Sequence, residues 1–500
     1  MLANKIIKGA VWLVGARLMA RFFALAGMLI VASILTPDDF GLVAIATSAL
    51  TILSSISDLS LSNALIQMRD PPRSAYDTAF TVAALRGGLL AASMVLLAWP
   101  MAHLYDEARL FPVFMVLSLP PLIGGLTSPC MVDFARQLKF HPFFLTEFSG
   151  QILAFAASVS CAVIFHSYWA LIAGQIAVAA SGVVLSYVLA PYRPRLSGKH
   201  WKSIFAFSSW LTLSQIVNTL NWQADRLFIG HRLGRSTLGI YTVGDSLASL
   251  PTQTVVAPIT QALYSGFADL RDDIPRFRDA YLAAQTTIVA IALPLGFLLA
   301  LLAHPLIILA VGPKWLDAAF SLTILGPVFA IQTLTAATHS VCMASGNTRL
   351  IFARDLLGLA IRFPLILIGL YWGGFHGVIY ARIISGLAIV YFNMQLMSRV
   401  LGINMLAQLV PLWRSIFSIG GMIGGVGFLK SLLFADGQSS PDKLWLGTYV
   451  FMLACAGMAL YLTCHFLLWF CSGRPTGPEQ RFLQWTSRLL GAIRPMTRKE

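Results

Sequence analysis

Charge is what this chain has least of: of 500 residues only 11% are Asp, Glu, Lys or Arg, against 57% hydrophobic. That balance excludes a soluble globular domain. Cysteine is scarce too. Cys130, Cys161, Cys342, Cys455, Cys464 and Cys471 lie in or at the ends of apolar runs with no pair at metal-ligand spacing, so they read as small core residues. The nine histidines are scattered singly, no HExxH occurs, and no GxxxxGK loop is present to cradle a nucleotide phosphate. Catalysis and direct ATP use therefore lack a visible site, and no cofactor or metal is expected.

What the chain does have is apolar length. Runs of roughly 20 apolar residues, enough to cross a hydrocarbon core of about 30 Å, fall at 11–35, 41–65, 78–101, 110–132, 143–166, 168–190, 203–233, 238–263, 280–304, 317–345, 350–372, 374–398, 410–434 and 444–471. About fourteen transmembrane helices with no soluble domain between them define an all-α integral membrane protein. The N-terminal run is too long for a signal peptide and lacks a small-residue cleavage site before Pro37, so it reads as a retained first helix.

The basic excess, 35 Lys and Arg against 21 Asp and Glu, is distributed in the loops and sets topology rather than recruiting nucleic acid. An inside N-terminus puts Lys5, Lys8, Arg69, Arg73, Arg136, Lys139, Arg193, Arg195, Lys199, Lys202, Arg271, Arg276, Arg278, Arg349, Arg399 and the basic tail in the cytoplasm. The opposite side keeps Arg109, Arg232, Arg235, Lys314, Lys430 and Lys443. Both termini are then cytoplasmic.

Two windows suggest an internal duplication. At an offset of 198, Trp12-Leu13 aligns with Trp210-Leu211, Ala26 with Ala224, Leu35 with Leu233 and Gly41 with Gly239. At an offset of 212, SPCMVDFARQLKF (128–140) aligns with SVCMASGNTRLIF (340–352). Six helices per half give two parallel repeats about an axis along the membrane normal. The expected organisation is an N-lobe at 1–195, a C-lobe at 196–400, two further helices at 401–473 and a cytoplasmic amphipathic tail at 474–500, with 191–202 as the linker between lobes. The tail spaces Phe482, Trp485, Leu489, Leu490 and Ile493 as an interfacial helix, and 267–285 has the pattern of a cytoplasmic surface helix.

Thr36, Pro37 and Asp39 have the spacing of a helix N-terminus, with Thr36 as cap and Asp39 three residues on. Gly420 and Gly424, and Gly421 and Gly425, have the GxxxG spacing that lets helices approach closely in lipid. The informative residues are charges placed deep in apolar runs, where each costs about 2.5–3.5 kcal/mol or more. Asp225 lies eight residues inside the seventh span, roughly 12 Å deep at 1.5 Å per residue. Arg226 is beside it, and Arg21, Arg86, Arg362 and Arg382 cannot all be anchors, whereas Arg17 can snorkel to the cytoplasmic headgroups. Asp58, Glu147, Arg354 and Asp355 fall near cytoplasmic helix ends. A cavity rich in Arg attracts an anion, and Arg favours phosphate through planar bidentate donors. The structural alternative is that Asp225 pairs with an Arg of a neighbouring helix to hold the bundle together.

The segments ILTPDDFGLVAIA (34–46) and NWQADRLFIGHRLGRSTLGIY (221–241), with the linker between halves, resemble the polysaccharide transporter flippases. These are the Wzx-type branch of the multidrug/oligosaccharidyl-lipid/polysaccharide exporter superfamily. The resemblance covers nearly the whole chain. It implies a fourteen-helix, two-lobed, alternating-access transporter in a bacterial inner membrane. Its cargo would be a polyprenyl-pyrophosphate-linked oligosaccharide carried from the inner to the outer leaflet, for exopolysaccharide or lipopolysaccharide assembly. Membrane lipids, and polysaccharide polymerase or export machinery, are the further partners. Arg21, Arg86, Asn218, Asn221, Asp225, Arg226, Arg362 and Arg382 are the expected substrate-binding residues, and the two last helices the expected lipid-tail groove. Competing readings are a lipid II flippase, a multidrug or cation antiporter of the same superfamily, and a membrane polymerase or ligase. The last is disfavoured by short outer loops.

Overall fold

The computed structural model describes residues 19–57, 65, 68, 71–137, 139, 141–199, 209–433, 443–474, 477 and 479–480. Arg17, Asp58, the end of the 191–202 linker and the amphipathic pattern at 482–493 lie outside the described residues. Among the described residues there are helices and connections and no strand. Backbone polar groups in hydrocarbon must be satisfied within their own segment, which a helix achieves and an open sheet does not.

In chain order the helices are α1 (Met19–Ile34), α2 (Pro37–Ile56), α3 (Arg73–Leu104), α4 (Leu110–Leu117), α5 (Leu119–Gly124), α6 (Val132–Arg136), α7 (His141–Phe165), α8 (Trp169–Leu189), α9 (Ser209–Leu233) and α10 (Arg235–Ala248). There follow α11 (Ala257–Ala268), α12 (Ile274–Leu301), α13 (Ala303–Ala310), α14 (Asp317–Gln332), α15 (Thr338–Ala344), α16 (Thr348–Leu401), α17 (Met405–Leu409), α18 (Trp413–Leu433) and α19 (Lys443–Cys471). Among the described residues eight helices are long and apolar enough to cross a membrane, or nine if the pair Leu110–Gly124 and Pro129–Arg136, bent by 57°, is one span. The helix α9 is not among them. Its Asn218, Asn221, Gln223, Asp225 and Arg226 make it too polar, and that polarity is what the site below uses.

α16 covers two expected spans, 350–372 and 374–398, because its two arms meet at Gly374 with φ 54°. A left-handed φ suits a residue without a Cβ. At the bend a Cβ on Gly377 would run into the carbonyl oxygen of Gly369.

The chain packs as two units, described separately. The first comprises Met1–Val243, Ala310–Trp315 and Asp355–Val378. In it α2 packs along α9, and the N-terminal turns of α2 and α10 cross. A Cβ on Gly41 would collide with the carbonyl oxygen of Arg235, and one on Gly239 with that of Pro37. Both residues of each contact are 198 apart from their counterparts in the other, the offset at which the sequence aligns with itself. The expected helix start holds: Thr36 accepts from the Asp39 N–H, Asp39 accepts from the Thr36 N–H at 3.0 Å, and Pro37 occupies the first position. Trp315, fully buried, donates its indole N–H to the Ala32 carbonyl at 2.8 Å and stacks edge-on with Phe40.

The second unit comprises Gly244–Leu309, Leu316–Arg354 and Ile379–Glu500. Its larger core gathers Leu293, Leu298, Met422, Val426, Leu453 and Tyr461 from α12, α18 and α19, with Leu412 from the turn before α18. Of the two glycine stripes on α18, Gly421 and Gly425 meet Cys464 and Leu460 of α19, whereas Gly420 and Gly424 face open space. The surface helix expected at 267–285 is corrected here. Residues 269–273 form a turn, and Phe267, Phe277 and Tyr281 are buried in a second core with Val341, Ile351 and Met397. Their helical spacing served a protein core rather than a lipid surface. Beyond α19, Glu479 is buried against Arg414 and His465.

Candidate functional site

The site is built on α9. Asn218, Asn221, Trp222, Asp225 and Arg226 recur at intervals of three and four, which puts them along one stripe of a helix. Asp225 is 2% exposed. Desolvating a carboxylate is unfavourable unless its lone pairs are filled, and here they are. Oδ2 accepts from the Tyr241 hydroxyl at 2.6 Å and from Arg362 Nη2 at 3.0 Å, while Oδ1 accepts from the Arg226 backbone N–H at 3.0 Å. Arg362, on the first arm of α16 and 6% exposed, also lies over the Trp222 ring at 5.0 Å, a cation–π contact. Its Nε has no hydrogen-bond partner, so the guanidinium keeps an unused donor.

The stripe continues in both directions. Asn221 donates to the Asp355 carbonyl at 3.0 Å, and its own Oδ1 is buried without a partner. Ser214 donates to the Asp355 carboxylate, so Asp355 is a buried acceptor rather than a solvated helix-end charge. Arg226 reaches Gln223 Oε1 at 3.4 Å. Asn218 lies one turn from Asn221, half-buried.

The other expected site residues are placed elsewhere. Arg86 donates to Ser57 Oγ at 3.1 Å and to the Ser54 carbonyl at 3.0 Å, satisfying the C-terminal end of α2. Arg21 is exposed on α1. Arg382, in the second unit, pairs with Asp245 of α10 at 3.0 Å, with both side chains buried, and lies over Phe329 at 5.2 Å. The sequence reading missed Asp245. The signal was available, an Asp well inside the apolar run 238–263, the same signature that singled out Asp225. Its presence narrows the expected excess of deep Arg over one deep carboxylate: Arg362 and Arg382 each have their own Asp, and both pairs are separated by 137 residues.

A second ionic group lies where α2, α4 and α10 begin. Arg109 contacts Asp38 and Glu107 at 2.9 Å each, and Arg235 contacts Asp38 at 3.3 Å and also Glu107. Beside it the Tyr105 hydroxyl donates to the Leu227 carbonyl at 2.8 Å, and burial pushes that hydroxyl up to about 12. It stays a protonated donor throughout the physiological range.

Solved structures share this fold. Over 92% of this chain and 99% of the other, it is similar to a structure described as lipid II flippase MurJ in an inward closed conformation, with a TM-score of 0.68 at 13% identity. A multidrug resistance MATE family transporter in an inward-facing conformation follows at 0.61 and 13% identity, over 76% of this chain and 95% of that one. The class is thus an all-helical, multi-pass membrane fold known from transporters. Residues 30–320 match the family model described as polysaccharide biosynthesis protein, and the chain belongs to that family. Similar proteins include the lipopolysaccharide biosynthesis protein WzxC of Escherichia coli strain K12, 23% identical over 75% of this chain and 77% of that protein. Another is the succinoglycan biosynthesis transport protein ExoT of Rhizobium meliloti strain 1021, 26% identical over 59% of this chain and 60% of that protein.

Proposed function

We propose that the chain is a flippase, not an enzyme, that moves a polyprenyl-pyrophosphate-linked oligosaccharide from the inner to the outer leaflet of a bacterial inner membrane. The observation that carries this reading is α9, a helix in an otherwise apolar chain with a buried Asp225–Arg362 pair and Asn218, Asn221 and Arg226 along the same stripe. Such a stripe offers guanidinium donors to a pyrophosphate and amides to sugar hydroxyls. The names of its relatives, concerned with lipopolysaccharide and succinoglycan, support a sugar cargo.

In this reading about fourteen helices form two parallel six-helix repeats, 1–195 and 196–400, with the helices of 401–473 beside them. The reciprocal Gly41 and Gly239 contacts, related by the repeat offset, support that layout. They also supply a closure at the outer ends of the helices that separates when the cargo leaves outward, with both termini cytoplasmic. A headgroup leaving a negative interior gains about 2.3 kcal/mol per charge per 100 mV, which favours export.

The test is accumulation of lipid-linked intermediates in cells lacking the protein, with leaflet sidedness resolved by an impermeant sugar-binding probe. Accumulation on the cytoplasmic leaflet is expected. Accumulation on the outer leaflet would assign the chain to polymerisation or ligation instead. The two buried carboxylates, Asp225 and Asp245, favour a cation antiporter as second reading, and for it no intermediate accumulates on either leaflet.

A further inference from the structure

The first unit contains a cavity that neither the buried pair nor the outer ionic group uses. It has a volume of about 480 Å³ and lies between the last turns of α9 and the end of the first arm of α16, within the size range of small-molecule sites, about 300–1,000 Å³. Phe228, Leu367, Ile368 and Leu370 give it apolar walls. Both helices end here, α9 at Leu233 and the α16 arm at its Gly374 bend, and Leu233 closes the seventh apolar run of the sequence, 203–233, where such a run would meet the headgroups. Tyr371 and Trp372, 76% and 84% exposed, mark the same level, since such amphipathic rings collect at the membrane interface.

The cavity wall also carries two basic side chains, His231 and Arg232. The neighbouring Arg109 and Arg235 are held by Asp38 and Glu107. Arg232 has no carboxylate within ion-pair distance among the described residues, and it is exposed. An Arg that merely snorkels to the headgroups needs no cavity beside it. An apolar slot at headgroup depth with a spare guanidinium at its lip matches a lipid of net negative charge whose chain fills the slot.

We propose that this cavity binds an anionic glycerophospholipid, its phosphate on Arg232 and His231 and one acyl chain against Phe228, Leu367 and Ile368. It is a lipid site distinct from the cargo path along Asp225 and Arg362, and it stands whether or not the chain is a flippase. Lipid bound there ties the end of α9 to the end of the α16 arm.

The experiment uses the full chain, purified, stripped of lipid and returned to nanodiscs containing phosphatidylglycerol and phosphatidylethanolamine, with retained lipid read by native mass spectrometry. The wild type retains phosphatidylglycerol over phosphatidylethanolamine by about tenfold, since both phosphates accept from Arg232 but only phosphatidylethanolamine brings an ammonium that the guanidinium repels. R232Q, an exposed change that leaves packing intact, loses the preference but still retains lipid. I368W, which fills the slot without changing charge, retains neither. Equal retention of both lipids by the wild type, or an unchanged preference in R232Q, would overturn the site. Displacement by polyprenyl phosphate at lower concentration than phosphatidylglycerol would overturn the assignment of its occupant. None of these readouts involves cargo transport, so failure here and failure of the flippase reading are separable.

Discussion

Two ionic groups in the first unit are built from the same side chains and have opposite properties. The Asp225–Arg362 pair leaves its side chains 1% and 7% exposed, whereas the Arg109–Asp38 pair leaves them 42% and 36% exposed. An exposed pair is worth about 0–1 kcal/mol and is screened by salt. A buried pair costs about 3–5 kcal/mol when one partner is removed, because the other charge is stranded. A transporter needs both kinds. In the flippase reading the Arg109–Asp38 contact is cheap enough to open in every cycle, and the pair on α9 is too costly to lose unless something else takes the place of the lost partner. In the flippase reading that something is the pyrophosphate, which can replace Asp225 on Arg362.

The sharpest way to break the comparison is to strand one charge. Arg362→Leu lowers stability in detergent by about 3–5 kcal/mol, read as a fall in melting temperature. The double change Asp225→Leu with Arg362→Leu recovers most of that stability yet does not restore export. Restored export in the double variant would reduce the pair to scaffolding. Next in size is Gly239→Val, which forces the crossed backbones apart at a cost of about 1–3 kcal/mol. It leaves the outer closure ajar, so a cysteine placed at Ser33 reacts faster with an impermeant maleimide than in the parent. An unchanged rate would mean that the crossing is not the closure.

Arg226→Ala is expected to lower export while shifting stability by less than Arg362→Leu, since Arg226 is only half-buried. Equal export by the variant and the parent would remove Arg226 from the cargo path. The smallest effect belongs to Asp38→Asn, at about 0–1 kcal/mol. The difference from the parent disappears at high salt, and a salt-independent loss would show that the outer group is more desolvated than its exposure indicates.

Much of this was legible along the chain. Apolar runs announced the helices, because a segment crossing hydrocarbon has to satisfy its backbone internally whatever it packs against. Thr36, Pro37 and Asp39 announced the start of α2 through bonds made within four residues. Asp225 and Arg362 stood out because a charge in an apolar run is expensive wherever it is buried. The reading stopped at partners. Arg86 and Arg382 carry the same signature as Arg362, yet Arg86 holds the end of α2 and Arg382 holds Asp245. Phe277 and Tyr281 have the spacing of a surface helix and lie in a core.

What the sequence by itself determined is therefore the class of the protein and the list of its costly residues, since hydropathy, caps and buried charge are properties of short segments. Which Asp meets which Arg, which glycines cross and which arginine keeps a free donor beside an apolar slot were decided only by tertiary structure. The buried pairs and the glycine crossing join residues more than a hundred positions apart, and their energy depends on the water that packing removes.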